Sequence, residues 1–143
     1  EKKLIEYNSL PQVTLFKAGH HGSGTSTTEE LLSVIKPTFI AITTVAGSTE
    51  YSHNLNNTFP YQETIDRIAK YTDNVFVTSC MDLAYNEEKG QYDSYGEMRS
   101  LNGTIIFTCT NGVNSFVGLN NSIKLKDSEW FKTYRTCPSE WAV

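Results

Sequence analysis

The chain has 143 residues, 38% of them hydrophobic and 12% aromatic, enough for one domain with a real core. Its net charge is −4 with no basic block, so charge does not indicate a nucleic-acid partner. No run of about eighteen apolar residues occurs, which leaves no membrane span in this stretch.

Residues 1–11 are charged and polar, end at Pro11, and read as a frayed or edge segment. Residues 13–17 form the first expected strand. A helix is expected over 27–36. Ser26 and Glu29 fit a capping box, Leu31, Leu32 and Ile35 form its apolar face, and Pro37 stops it. Phe39 to Thr44 is apolar and β-branched and reads as the second strand. Residues 45–60 form a long polar loop carrying His53, and loops of that length in a compact domain are usually functional. Ile65, Ile68 and Ala69 place a second helix over 61–71, and Val75 to Thr78 reads as the third strand. The order β-α-β-α-β implies parallel strands with both helices on one sheet face.

The pattern then changes. Residues 82–102 carry Tyr85, Tyr92 and Tyr95 among acids, Gly and Ser, and read as a surface excursion. Asn111-Gly112 between two β-rich runs marks a hairpin over 104–117. A last helix is expected over 127–135, with Trp130, Phe131 and Tyr134 as an aromatic face. Cys80, Cys109 and Cys137 include no Cys-x-x-Cys pair, which argues against a structural zinc site. Three reduced or isolated thiols are the simplest reading. If one bridge forms, Cys80 with Cys109 is the expected pair.

The richest stretch is Lys17-Ala18-Gly19-His20-His21-Gly22-Ser23-Gly24-Thr25-Ser26. It places two of the three histidines on a glycine-rich turn between a strand and a helix. Ligands and metals commonly bind at that position in an open α/β sheet, and neutral imidazole is both a metal ligand and a general base. An exposed polar turn with two incidental histidines is the plainer alternative. Lys17 fits either an anionic substrate or simple solvation.

Phe16 to Ser23, then Thr25-Ser26, a helix, Lys36-Pro37 and an apolar strand resemble part of the metallo-β-lactamase fold, in the branch of ComEC-like proteins. The family's following Tyr-Gly-His-Pro-like element is matched by Tyr51-Ser52-His53-Asn54, with Gly and Pro replaced. The resemblance covers residues 12–78 and implies the carboxyl-terminal portion of an αββα sandwich, with a mixed sheet and a late β-hairpin. It treats 1–143 as one domain with an extension after about residue 79. It implies that a histidine of the turn holds zinc or manganese in the full-length parent. His20, the first to leave the strand, is the expected ligand. His21, Ser23 and Thr25 are then expected at the substrate, and His53 as a catalytic residue converging on the same cleft.

The His-x-His-x-Asp-His motif that supplies most of the family's metal ligands is absent from this sequence. The expected partner is therefore the missing amino-terminal half of the same domain, or a second copy across the exposed sheet face. The chain alone is expected to be inactive and to hold little or no metal. The parent is expected to hydrolyse a phosphodiester or related ester. Two other readings compete: a non-catalytic binding or scaffold module retaining the fold, and a carbohydrate-binding module stacking sugars on Tyr85, Tyr92, Tyr95, Trp130 and Trp141.

Overall fold

The computed structural model describes residues 1–142. In chain order the elements are α1 (Lys2–Tyr7), β1 (Leu15–Lys17), α2 (Glu29–Ile35), β2 (Phe39–Ala46), α3 (Gln62–Ala69) and β3 (Val75–Asn86). There follow β4 (Gln91–Ser100), β5 (Ile105–Thr110), β6 (Val113–Gly118) and α4 (Glu129–Tyr134). The chain is α/β. A mixed four-stranded sheet runs β1-β2-β3-β4, and β5-β6 form a separate antiparallel pair. β1, β2 and β3 are parallel, while β4 returns antiparallel to β3. Among the described residues no helix is long and apolar enough to cross a membrane.

Alternation along the strands sets the layers. Ile40 and Ile42 of β2 stand opposite Val75 and Val77 of β3, and all four are fully buried. They share one core with Leu32 of α2 and with Ile65 and Ile68 of α3, so both helices lie on one face, as the crossovers predict. On the opposite face Phe39 and Phe76 meet the hairpin. Phe116 stacks on Phe76 with ring centroids 3.7 Å apart, and Phe107 lies 5.7 Å from Phe39. Helices, sheet and hairpin thus make three layers. Asn111 and Gly112 take φ of 51° and 77°, as the two central positions of a tight hairpin turn with matching twist require.

Several expectations need correction. Residues 1–11 are not simply frayed. Lys2–Tyr7 is helical, and the Glu1 carboxylate accepts hydrogen bonds from the amides of Thr27 (2.7 Å) and Thr28 (2.8 Å). The capping box is replaced by Thr28, whose hydroxyl accepts from the Leu31 amide. Ser26 leaves a buried hydroxyl oxygen without a partner, and Glu29 turns instead to Lys70 and Tyr71. The excursion at 82–102 is largely regular. β3 runs on to Asn86 and pairs with β4, whose side chains are mostly exposed. Apolar alternation is weak there because the ribbon meets mainly polar groups of the 45–60 loop, Thr49 on Ser94 and His53 on Tyr92 and Asp93, with Leu83 the single buried side chain over 82–100, so the ladder of backbone bonds carries the pairing. The last helix begins at Glu129, after a 3₁₀ turn at Leu125–Asp127. All three cysteines are free, Cys80 buried and the other two exposed. Trp130 and Trp141 are buried at 3% and 4% exposure, so they belong to the core and offer no sugar-stacking surface.

Candidate functional site

The histidine turn leaves β1 as a 3₁₀ segment, Gly19–Gly22. His20 (φ 42°, ψ 48°) and His21 (φ 58°, ψ 19°) both take left-handed backbone conformations, followed by Gly22 at φ 82°. Such conformations cost a non-glycine residue of order 1 kcal/mol or more and persist only where the surroundings over-determine them. The surroundings here come mainly from α3 and the loop before it. Tyr61 donates its amide to the Gly22 carbonyl at 2.9 Å. Thr64 donates to the Ser23 carbonyl, and Arg67 donates to the carbonyls of Gly24 and Ser26. A Cβ built on Gly22 would stand 2.7 Å from Pro60 Cβ, so only glycine fits against that proline.

The two rings are oriented separately. His20 Nδ1 lies 3.1 Å from Thr25 Oγ1, which in turn lies 3.1 Å from the buried Ser23 hydroxyl. His21 Nδ1 meets the backbone carbonyl of Thr43 at 2.5 Å. A carbonyl only accepts, so Nδ1 of His21 must carry the proton, and in the neutral ring Nε2 keeps a free lone pair. That carbonyl is available because β1 ends at Lys17, its last bond to β2 running from the Ala18 amide to the Ala41 carbonyl, so the β1 edge of β2 is open at Thr43. On the other edge the β2–β3 register shifts between Ile42 and Val45. The Thr78 hydroxyl fills the gap, accepting from the Thr44 amide and donating to the Thr44 carbonyl. Bulges of this kind recur beside active sites, where they re-aim backbone groups.

His21 lines an open cleft of about 290 Å³ at the carboxyl end of the parallel strands, with Thr43, Thr78, Glu50, Tyr51 and Phe59 among its other walls. Phe59 faces the histidine pair. Its ring centroid is 5.9 Å from His20 and 5.7 Å from His21, and Tyr51 and Tyr61 pack on the same ring. The rings of His20 and His21 are 6.4 Å apart.

His53 lies outside this cleft. Its backbone carbonyl accepts from the Tyr92 amide, and its Nδ1 lies 2.9 Å from the Tyr92 carbonyl and 3.0 Å from Asp93 Oδ1. The Gln91 amide, and then Asn86, donate to Asp93 and hold its carboxyl below the usual range. The long loop thus brings an aromatic ring to the histidines and hands its own histidine to β4. His20, His21, Ser23 and Thr25 come together, and His53 is separate. Lys17 is exposed at the sheet edge.

Residue types alone did not single out Thr43, Phe59 or Arg67. Phe59-Pro60 was the available signal, since an aromatic-proline pair before a helix start marks a fixed turn. As for a metal, His21 and Glu50 are the cleft's donors. A catalytic zinc requires three protein ligands, and among the described residues no group of three or more His, Cys, Asp or Glu stands close enough to hold an ion. The residues of this chain by themselves do not fit a complete metal centre. No protein-family model, curated protein or solved structure matches the chain.

Proposed function

We propose that the chain is the carboxyl-terminal part of a metal-dependent hydrolase of the metallo-β-lactamase superfamily, contributing one wall of the active cleft. The observation that carries this reading is the His21–Thr43 hydrogen bond. A protonated Nδ1 held by a backbone carbonyl is the usual way a ligating or proton-accepting imidazole is fixed in tautomer and direction. The strained backbone of both histidines points the same way, because strain of this kind clusters at functional sites. The geometry favours His21 over His20 as the imidazole that works at the cleft. His20, with Thr25 and Ser23, forms the hydrogen-bonded support beside it. His53 has no role in this cleft and secures the loop to β4.

The remaining ligands must come from residues outside this sequence, so no hydrolytic step is assigned to this chain alone. The parent's substrate is a phosphodiester or related ester. The test titrates zinc and manganese into the purified chain by calorimetry and assays a chromogenic phosphodiester. Weak binding and no turnover are expected from the chain. A parent protein carrying the missing half should turn over and lose activity on His21→Ala. Tight stoichiometric binding by the chain alone, or turnover by it, would sink the half-site reading.

A second reading, a non-catalytic binding module, is favoured by Phe59. The side of the loop that faces both imidazoles presents an aromatic ring where a complete site would present a further donor. A parent protein that is silent with either metal would establish this reading instead.

A further inference from the structure

Phe59 reaches the histidine pair from a loop, and loops need support to hold a ring in place. One support is visible on the loop itself, where the Gly47 amide donates to the Phe59 carbonyl at 2.9 Å. A second comes from far along the chain. Arg135, the residue closing α4, is only 8% exposed and reaches back to this loop. Its Nη2 donates to the Thr58 carbonyl (2.9 Å) and hydroxyl (2.8 Å) and to the Pro60 carbonyl (3.2 Å). Its Nε donates to the Pro60 carbonyl at 3.3 Å. The fork therefore grips the residues on both sides of Phe59.

The rest of the guanidinium is equally committed. Nη1 donates to the Tyr134 carbonyl at 2.9 Å, and the Trp130 ring lies 4.7 Å below the central carbon. No carboxylate is among these partners. Burial pulls the Arg135 pKa down to about 10, which leaves it cationic at neutral pH. Burying a charge without a counter-ion is costly, and here a hydrogen bond from each of the three nitrogens offsets that cost. A buried cation whose Nε and Nη2 are satisfied by the groups of Thr58 and Pro60 is better explained by holding that loop than by general packing.

We infer that Arg135 is the positioning residue of the cleft: by clamping the carbonyls of Thr58 and Pro60 it fixes the Phe59 ring against His20 and His21. The role rests on the proposed reading of the cleft, but the geometry it controls exists without metal or substrate. Lysine cannot replace arginine here. An ammonium is a point charge with no planar fork and cannot reproduce the paired grip on the Thr58 and Pro60 carbonyls.

The experiment is histidine-ring NMR on the whole chain, with Arg135→Lys, Arg135→Gln and a control, Gln62→Ala. The control removes the reciprocal hydrogen bonds between Gln62 and Thr136, which tie down the same segment without touching Thr58 or Pro60. In both Arg135 variants the ring protons of His20 and His21 should lose the ring-current shift imposed by Phe59. Those of His53 should stay where they are, and the control should move none of them. A folded Arg135→Lys chain with unmoved His20 and His21 rings would overturn the assignment, as would a control that moves them equally. Should neither Arg135 variant fold, the unchanged chain decides. The Arg135 Nε proton should exchange slowly and show Overhauser contacts to Pro60, and its absence or rapid exchange overturns the clamp. Each of these outcomes is independent of turnover, so an inactive parent enzyme leaves the clamp standing, and a failed clamp leaves the hydrolase reading standing.

Discussion

The parallel region, β1 to the first half of β3, and the antiparallel region, from the second half of β3 to the tail, are built on different principles. The first buries aliphatic side chains completely: Ile40, Ile42, Ile65, Ile68, Val75 and Val77 are all at 0% exposure. The second leaves most of β4, β5 and β6 in solvent, while its tail sends Leu125, Trp130, Phe131 and Trp141 into the shared core. Phe107 and Phe116 reach the sheet, Trp130 donates to the Met81 carbonyl, and buried Asn102 bridges the carbonyls of Val77 and Ile123. The candidate site draws its rigidity from both regions. The histidines come from the end of the parallel strands, and the ring facing them is clamped from the end of α4, whose Trp130 and Phe131 are buried in the shared core.

The largest effect expected from breaking this division is in the parallel core. Ile42→Ala removes a fully buried side chain between α3 and the sheet, one row from the histidine turn. Ile→Ala in such a setting costs about 2–5 kcal/mol, because the transfer energy of the lost methyl groups adds to an unrelieved cavity. Denaturant titration should show the whole transition moving to a lower midpoint at unchanged slope. A loss under about 1 kcal/mol would mean that this core is looser than the burial implies.

The seam gives the next effect. Phe116 is half-buried and stacks on Phe76, so Phe116→Ala should cost about 2 kcal/mol, less than the 3–5 typical of a fully buried Phe. Amide exchange is the sharper measurement. Protection should fall across β5 and β6 while β2 keeps its own, because the hairpin forms a separate sheet with no ladder bonds to the first. Equal loss in β2 and β6 would show that the two regions open as one unit.

The same division explains what could be read from the sequence. In the parallel region, period and punctuation agree. Apolar strands, amphipathic helices, Pro37 and the glycine-rich turn all report one arrangement, and the three strands and two helices fall where expected. The β5–β6 hairpin was legible through Asn111-Gly112 alone. The β3–β4 ribbon was not, because Tyr85, Tyr92 and Asp93 lie on strands that meet polar loop groups in place of an apolar core and therefore show no apolar alternation. In the site, the histidine turn was visible from composition. The separation of His53 was not, because reach along a loop says nothing about which way the loop folds. Here the loop follows Phe59, drawn by Pro60 packing on Gly22 and by Arg135, a residue 75 positions from Pro60.

The smallest effect tests whether charge as well as packing joins the two regions. Asp73, in the turn before β3, pairs with Lys124 at 2.9 Å and Lys126 at 2.6 Å from the tail. The hydrogen bonds from Lys124 and then Lys126 outweigh partial burial and hold the Asp73 carboxyl below its usual value of 3.8. Between the folded and unfolded pKa values the unfolded chain binds more protons, so stability rises with pH across that interval. The contribution is therefore complete above the unfolded value and disappears as pH falls through the folded one. All three side chains are partly exposed, so solvent screening limits the pair to about 0.5–1 kcal/mol. Asp73→Asn should lower the stability by that amount at neutral pH. In acid, below both pKa values, the variant and the parent chain should converge, while the other carboxylates titrate alike in both and cancel from the difference. Denaturant midpoints measured in neutral and in strongly acidic buffer give the comparison. A gap that persists unchanged into acid would assign the effect to lost packing at the turn, and the seam between the two regions would then owe nothing to this ion pair.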